Sequence, residues 1–303
     1  MLVIVLLAVL WFGLVPVAGA FAERKKWRYF RRRFGELRQK QPLEYASLVG
    51  GDQQEYRFNG FYESAGEGVL WIRSDELTVT ADLRGADIYM LPNVGSENNP
   101  AVFDPDEVPV KIRWNRISGL AREAKVFAGG SLVAENSRRV FASVPDKPLF
   151  IVFYEGSEKA LPVRAVRAGR HKNEYFNFIT PYAFILGFFS QIIIAIFYLP
   201  RPAHRLTMIG ALIAAFTPLL PWVPPGILFT ILYRRLWMQA RIYRAGRDLA
   251  LMSAADDRPA DPLSQARQYN RKAHIFEIIS WLLLLCGIGV NVFFITVIIT
   301  LVV

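Results

Sequence analysis

The chain has 303 residues, 53% of them apolar, and a formal charge of +10. The apolar residues gather in blocks long enough to cross a bilayer, about 20 residues each, which makes the class membrane α-helical rather than soluble globular. The basic surplus sits beside those blocks, which points it at anionic lipid and away from nucleic acid, and the single cysteine, Cys286, excludes an intramolecular disulfide or a cysteine-based zinc site.

Residues 1–22 form the first expected span. Ala18-Gly19-Ala20 also resembles a signal-peptide cleavage site, but no Lys or Arg precedes the apolar run and the basic cluster lies after it, which favours a retained span. Residues 23–40 then carry Arg24, Lys25, Lys26, Arg28, Arg31, Arg32 and Arg33, the expected contacts to lipid headgroups. Between them Trp27, Phe30, Phe34 and Leu37 recur at intervals of three and four, the period of an amphipathic helix. Trp27, Phe30 and Phe34 are expected to anchor that helix at the membrane interface, or else to pack on the protein's own soluble domain.

Residues 41–174 read as an all-β soluble domain, a small barrel or sandwich. The expected strands are 54–62, 68–72, 76–81, 86–91, 108–114, 125–134, 140–143, 149–154 and 162–166. Alternation supports them, as in Val110, Ile112 and Trp114 against Lys111 and Arg113. Turn residues separate the runs, notably Gly129-Gly130 and Pro145-Asp146-Lys147-Pro148, and the acidic interval 92–109 reads as a mobile loop rather than a calcium site.

Within this domain Val126-Phe127-Ala128-Gly129-Gly130-Ser131-Leu132, then Pro145 and Pro148-Leu149-Phe150-Ile151 ahead of an apolar block, resembles the final part of the GIDE type of beside-a-membrane domain, over about residues 119–154. The resemblance implies a β-rich domain flanked by spans. Some eukaryotic members of that family add a RING and act as ubiquitin ligases. With one cysteine this chain lacks the ligands of a RING, and the resemblance brings no catalytic residue.

Three further spans are expected, at 175–199, 206–233 and 275–303, with a basic loop at 234–274. In the third, Pro218, Pro221, Pro224 and Pro225 forbid a straight helix, so it is either kinked or broken into two short pieces. Gln191 and Asn291 lie deep in the second and fourth and are expected to hydrogen-bond between helices, with Gly187, Gly210, Gly287 and Gly289 allowing close approach. Glu277 is expected to pair with Arg271 or Lys272. The basic loops place the N-terminus outside and the β domain in the cytoplasm of a multi-pass cell-membrane protein.

The three histidines sit at block boundaries, and no nucleophile elbow, phosphate loop or His-Glu-x-x-His occurs. Asp75 with Glu76, or Asp82 with Asp87, could be paired only by folding. No catalytic, cofactor or metal residue is expected. The expected function is a non-enzymatic anchor or adaptor that presents the β domain to a protein partner at the membrane. The alternative is a small transporter or channel component built on the broken third span.

Overall fold

The computed structural model describes residues 2–45, 48, 54–75, 77–91, 108–119, 124–135, 138–170, 172–224, 226–253 and 261–302. Residues 92–107 of the acidic loop expected at 92–109, His171 and Pro225 lie outside them. Two compact units are formed, one from residues 1–26, 173–244 and 267–303, the other from 27–172 and 245–266.

The second unit is built on a barrel. Helix α1 (Leu2–Arg38) runs into it. Strands follow as β1 (Glu55–Gly66), β2 (Val69–Arg73), β3 (Thr78–Asp82), β4 (Asp87–Met90), β5 (Val110–Lys111), β6 (Lys125–Glu135), β7 (Arg138–Ala142) and β8 (Phe150–Tyr154). The order β1-β2-β3-β7-β6 closes through a β1–β6 pairing into a five-stranded barrel, and β8, β4 and β5 extend from β6. Closure between β3 and β7 is parallel, at Ala81 and Phe141. With five barrel strands and that one parallel closure, the connectivity is of the OB type. β1 serves two neighbours: Glu55–Phe61 pair with β6, and after an irregularity between Tyr62 and Ser64 the strand pairs with β2. Such a bulge bends a strand, which lets one strand turn a barrel corner. Glu67 and Gly68, both at positive φ, make the tight turn into β2.

β8 is buried on both faces, so it reads as a continuous apolar run. Ile151 and Phe153 enter the barrel core with Leu70, Ile72, Val126 and Phe141. Phe150, Val152 and Tyr154 form the opposite face, covered by Phe30, Phe34 and Leu37 of α1. Phe34 lies 5.0 Å from Phe127 and Phe30 lies 4.9 Å from Tyr89, ring centre to ring centre. Gly129 and Gly130 are therefore not a turn but mid-strand residues of β6. A Cβ on Gly129 would stand 2.8 Å from Leu37, so the absent side chain is what lets the helix settle on the strand.

The expected strand at 162–166 is a helix, α2 (Leu161–Arg167). Its Leu161 and Ala165 join the core beneath α1. This is the spacing of one helical face, and Pro162 suits the first turn of a helix, where its missing N–H costs nothing. Residues 114–119, entered at Trp114, turn as a 3-10 helix, which shortens the expected strand 108–114 to Val110–Lys111.

The first unit is helical. It contains the start of α1, α3 (Thr180–Tyr198), α4 (Arg205–Ala215), most of α5 (Gly226–Ser253) and most of α6 (Pro262–Val302). Among the described residues three helices are long and apolar enough to cross a membrane: Leu2–Arg38, Thr180–Tyr198 and Pro262–Ile295. The block expected at 206–233 is not one helix. α4 has 11 residues, a 3-10 turn occupies Thr217–Trp222, and α5 begins at Gly226. The basic interval expected as a loop at 234–274 is instead largely the continuation of α5 and the beginning of α6.

Candidate functional site

Several polar groups of the helical unit donate to backbone carbonyls, and at Phe12 the carbonyl is one that proline has left open. Pro16 brings no N–H to the carbonyl of Phe12, and a π-helical turn, Leu10–Leu14, lies there. The Tyr175 hydroxyl donates to the Phe12 carbonyl, and Asn177 Nδ2 donates to the Pro16 carbonyl at 2.9 Å. Gln191, fully buried, donates to the Ile4 carbonyl at 2.9 Å. Gly187 receives the Phe12 ring where a Cβ would stand 2.5 Å from it.

The broken segment is treated the same way. Pro218 and Pro221 lie in the 3-10 turn, and Pro224 follows it. Asn291, 2% exposed on α6, donates to the carbonyls of Leu220 and Val223, the latter at 3.0 Å, and accepts the Gly226 N–H at 3.2 Å. Thr230 Oγ1 donates to the Pro221 carbonyl at 2.6 Å. Gly287 admits Phe229, whereas Gly289 faces open space. Gln191 and Asn291 thus bond between helices, to backbone rather than to side chains.

A charged cluster closes one end of this unit. Glu174, 3% exposed, accepts Arg241 at 2.8 Å and Arg24 at 3.5 Å. Arg241 is itself buried and stacks on Trp237, its guanidinium carbon 4.6 Å from the ring centre. Burial depresses its proton affinity, while the Glu174 carboxylate opposes that shift. Glu277 pairs with Arg244, not with Arg271 or Lys272 as expected, because the antiparallel packing of α5 on α6 brings Arg244 to it.

The unit has three carboxylates, Glu23, Glu174 and Glu277, and each is occupied. Lys26 holds Glu23 at 2.9 Å. Lys25, Arg234, Arg235, Arg267 and Arg271 therefore stand exposed with no ion pair among the described residues. On α1 the exposed stripe reads Leu10, Leu14, Val17 and Phe21, then Lys25, Arg28 and Arg32. Apolar gives way to basic within one turn.

The expected headgroup contacts divide into two sets. Lys25, Lys26, Arg28 and Arg32 are exposed, Arg32 beside Glu36 at 3.3 Å. Arg24 is committed to Glu174, Arg31 donates to the Ala168 carbonyl at 2.8 Å, and Arg33 is buried against Glu55 at 2.5 Å. Of the two expectations for Trp27, Phe30 and Phe34, packing on the protein's own domain is the one observed, and the interface-anchor reading is corrected: Trp27 packs at Gly169, and Phe30 and Phe34 are fully buried on the barrel. Of the carboxylates considered in the β domain, Asp82 binds Arg84 at 3.0 Å, while Asp87 accepts Tyr29 at 2.7 Å and Lys111 at 2.5 Å. Burial first, then the bond to Asp87 and its charge, push the Tyr29 hydroxyl up to about 12. Sequence reasoning missed Pro16, Tyr175, Asn177, Glu174 and Arg241. A proline inside an apolar block was the available signal for the first three, and a lone acid ahead of the second block was the signal for Glu174.

No protein-family model, no curated protein and no solved structure matches this chain.

Proposed function

We propose that the chain is a multi-pass protein of the cell membrane that holds a cytoplasmic β-barrel domain as an adaptor for a protein partner, with anionic lipid around the basic end of its helices. The carrying observation is the sorting of charge in the helical unit. Its three carboxylates are all taken, and the remaining cations at that end face outward. Unpaired cations beside apolar helix surface are what an anionic leaflet attracts, about 1 kcal/mol per residue near the surface.

The chain crosses four times in this reading, the third time in two pieces. Ile4 lies beside Gln191, and Arg24 beside Glu174 and Arg241, so α1 and α3 run antiparallel. α5 starts level with Asn291 and reaches Arg241 at the charged end. α4 and the first two turns of α5, about 16 Å and about 11 Å long at 1.5 Å per residue, together make one interrupted crossing. The N-terminus is outside and the barrel inside. The likeness of residues 119–154 to a beside-a-membrane domain belongs to the same proposal.

The transporter alternative gains less support, because Asn291, Thr230 and Gln191 spend their donors on backbone and are packed in protein. Replacing Pro221 and Pro224 by Ala is expected to lower stability and to leave flux in proteoliposomes at the empty-vesicle level. A tag near Asn98 tests orientation: it is expected to resist protease in intact cells, and digestion from outside overturns the topology. Pull-down from detergent with mass spectrometry tests the adaptor role. Recovery of lipid alone overturns it.

A further inference from the structure

A pocket of about 380 Å³ opens on the outside of the barrel at β1, lined by Arg38, Leu43, Arg57, Asn59, Ser74 and Glu158 among others. Strand alternation sends Tyr56 and Phe58 inward and turns Arg57 and Asn59 out toward this pocket. Residues 41–43 wall one side, since the Leu43 N–H donates to the Arg57 carbonyl at 2.8 Å and the Arg57 N–H to the Gln41 carbonyl at 3.0 Å. On the other side Asn59 Nδ2 donates to Glu158 Oε1 at 2.5 Å.

That last bond fixes the Asn59 amide, because an ionised carboxylate can only accept. The amide oxygen, turned the other way, is shielded and receives no donor among the described residues. A shielded acceptor left empty is costly, and a donor from a ligand would remove the cost. Arg38, the last residue of α1, supplies a guanidinium that forms no ion pair among the described residues. The lining thus offers a cation for an anionic group and, near it, an acceptor for a hydroxyl or amine. Its volume lies at the lower end of small-molecule sites.

We propose that this pocket binds a small organic anion of the hydroxy- or aminocarboxylate class, its carboxylate on Arg38 and its hydroxyl or amine on the Asn59 oxygen. Arg57 adds positive field, and Glu158 holds the amide in register. The site lies on the barrel and is independent of how the helices meet the membrane.

Calorimetric titration of the full chain in detergent with glycerate, and with propionate as the analogue that has no hydroxyl, tests this. Glycerate is expected to bind saturably and about tenfold more tightly than propionate, the difference of one good hydrogen bond to a shielded group. Arg38→Gln is expected to abolish binding of both. Asn59→Leu, or Asn59→Ser should the first not fold, is expected to reduce glycerate to the level of propionate. Arg84→Gln, elsewhere on the barrel, is expected to change neither. The absence of saturable glycerate binding overturns the proposal, as does equal binding of the two ligands or binding indifferent to Arg38.

Discussion

The side chain of Asn291 caps the backbone of Gly226, accepting its N–H at 3.2 Å where α5 begins. Proline breaks the preceding segment, and one amide on a neighbouring helix serves both ends of the break, taking the N–H on one side and the carbonyls of Leu220 and Val223 on the other. Buried backbone left without a partner is costly, so the interruption and Asn291 form one unit.

Asn291→Leu is accordingly expected to destabilise the helical unit by about 1–2 kcal/mol, read from detergent unfolding of the full chain. Gly226→Ala places a Cβ 2.2 Å from Asn291 Nδ2 and is expected to cost at least as much. The double variant Gly226→Ala with Asn291→Ala is expected to cost less than the sum, because each change disturbs the same contact. Strict additivity in the cycle would show that the two do not interact.

Glu174 is the single carboxylate between Arg24 and Arg241. Glu174→Gln leaves the buried Arg241 without a counter-charge, and removing one partner of a buried pair costs about 3–5 kcal/mol. A large fall in thermal midpoint is expected. Lys25→Gln, exposed and without an ion pair among the described residues, is expected to leave the midpoint unchanged, and equal losses in the two variants would sink the distinction between inner and outer cations.

Gly129→Ala is expected to destabilise the barrel unit by about 1–3 kcal/mol, the cost of overpacking, since its Cβ would meet Leu37 Cδ1 at 2.8 Å and Leu37 Cβ at 3.1 Å. Leu37→Ala should recover part of that loss in the double variant. A neutral Gly129→Ala in equilibrium unfolding would show that α1 does not rest on β6.

Glu55 carries a pH dependence. Burial alone would raise its pKa, but the hydrogen bond and charge of Arg33, helped by Lys147 and Lys40, outweigh burial and hold it below its ordinary 4.5. A depressed carboxylate contributes stability that is present above its unfolded pKa and is lost as pH falls through the lower folded value. Stability of the full chain is therefore expected to decline below about pH 4.5, and Glu55→Gln should flatten the part of that decline due to this group. Parallel pH–stability curves for the two proteins would contradict the assignment.

Much of the architecture was legible in residue order. Hydropathy located four apolar blocks, three of which are helices long and apolar enough to cross a membrane, because a span is a local property of about 20 consecutive side chains. Alternation located the strands of the barrel, and the prolines of 218–225 located the break. The three-and-four spacing of Phe30, Phe34 and Leu37 gave a helix with one apolar face, but an apolar face looks the same whether lipid or protein covers it. Only the fold put Phe127, Phe150 and Tyr89 opposite it. Gly129-Gly130 likewise looked like a turn, since glycine signals freedom of the backbone, and its use here for close packing depends on a helix about 90 residues away. The partners of charge were also beyond reach: Glu277 had Arg271 and Lys272 nearby in sequence, and antiparallel packing gave it Arg244. Composition and period are short-range quantities, so the sequence alone determined most of the elements, though not the helix Leu161–Arg167, and the excess of positive charge. Which cations turn inward to carboxylates, and which remain outside, depends on distances between segments far apart in the chain, and tertiary structure decided that.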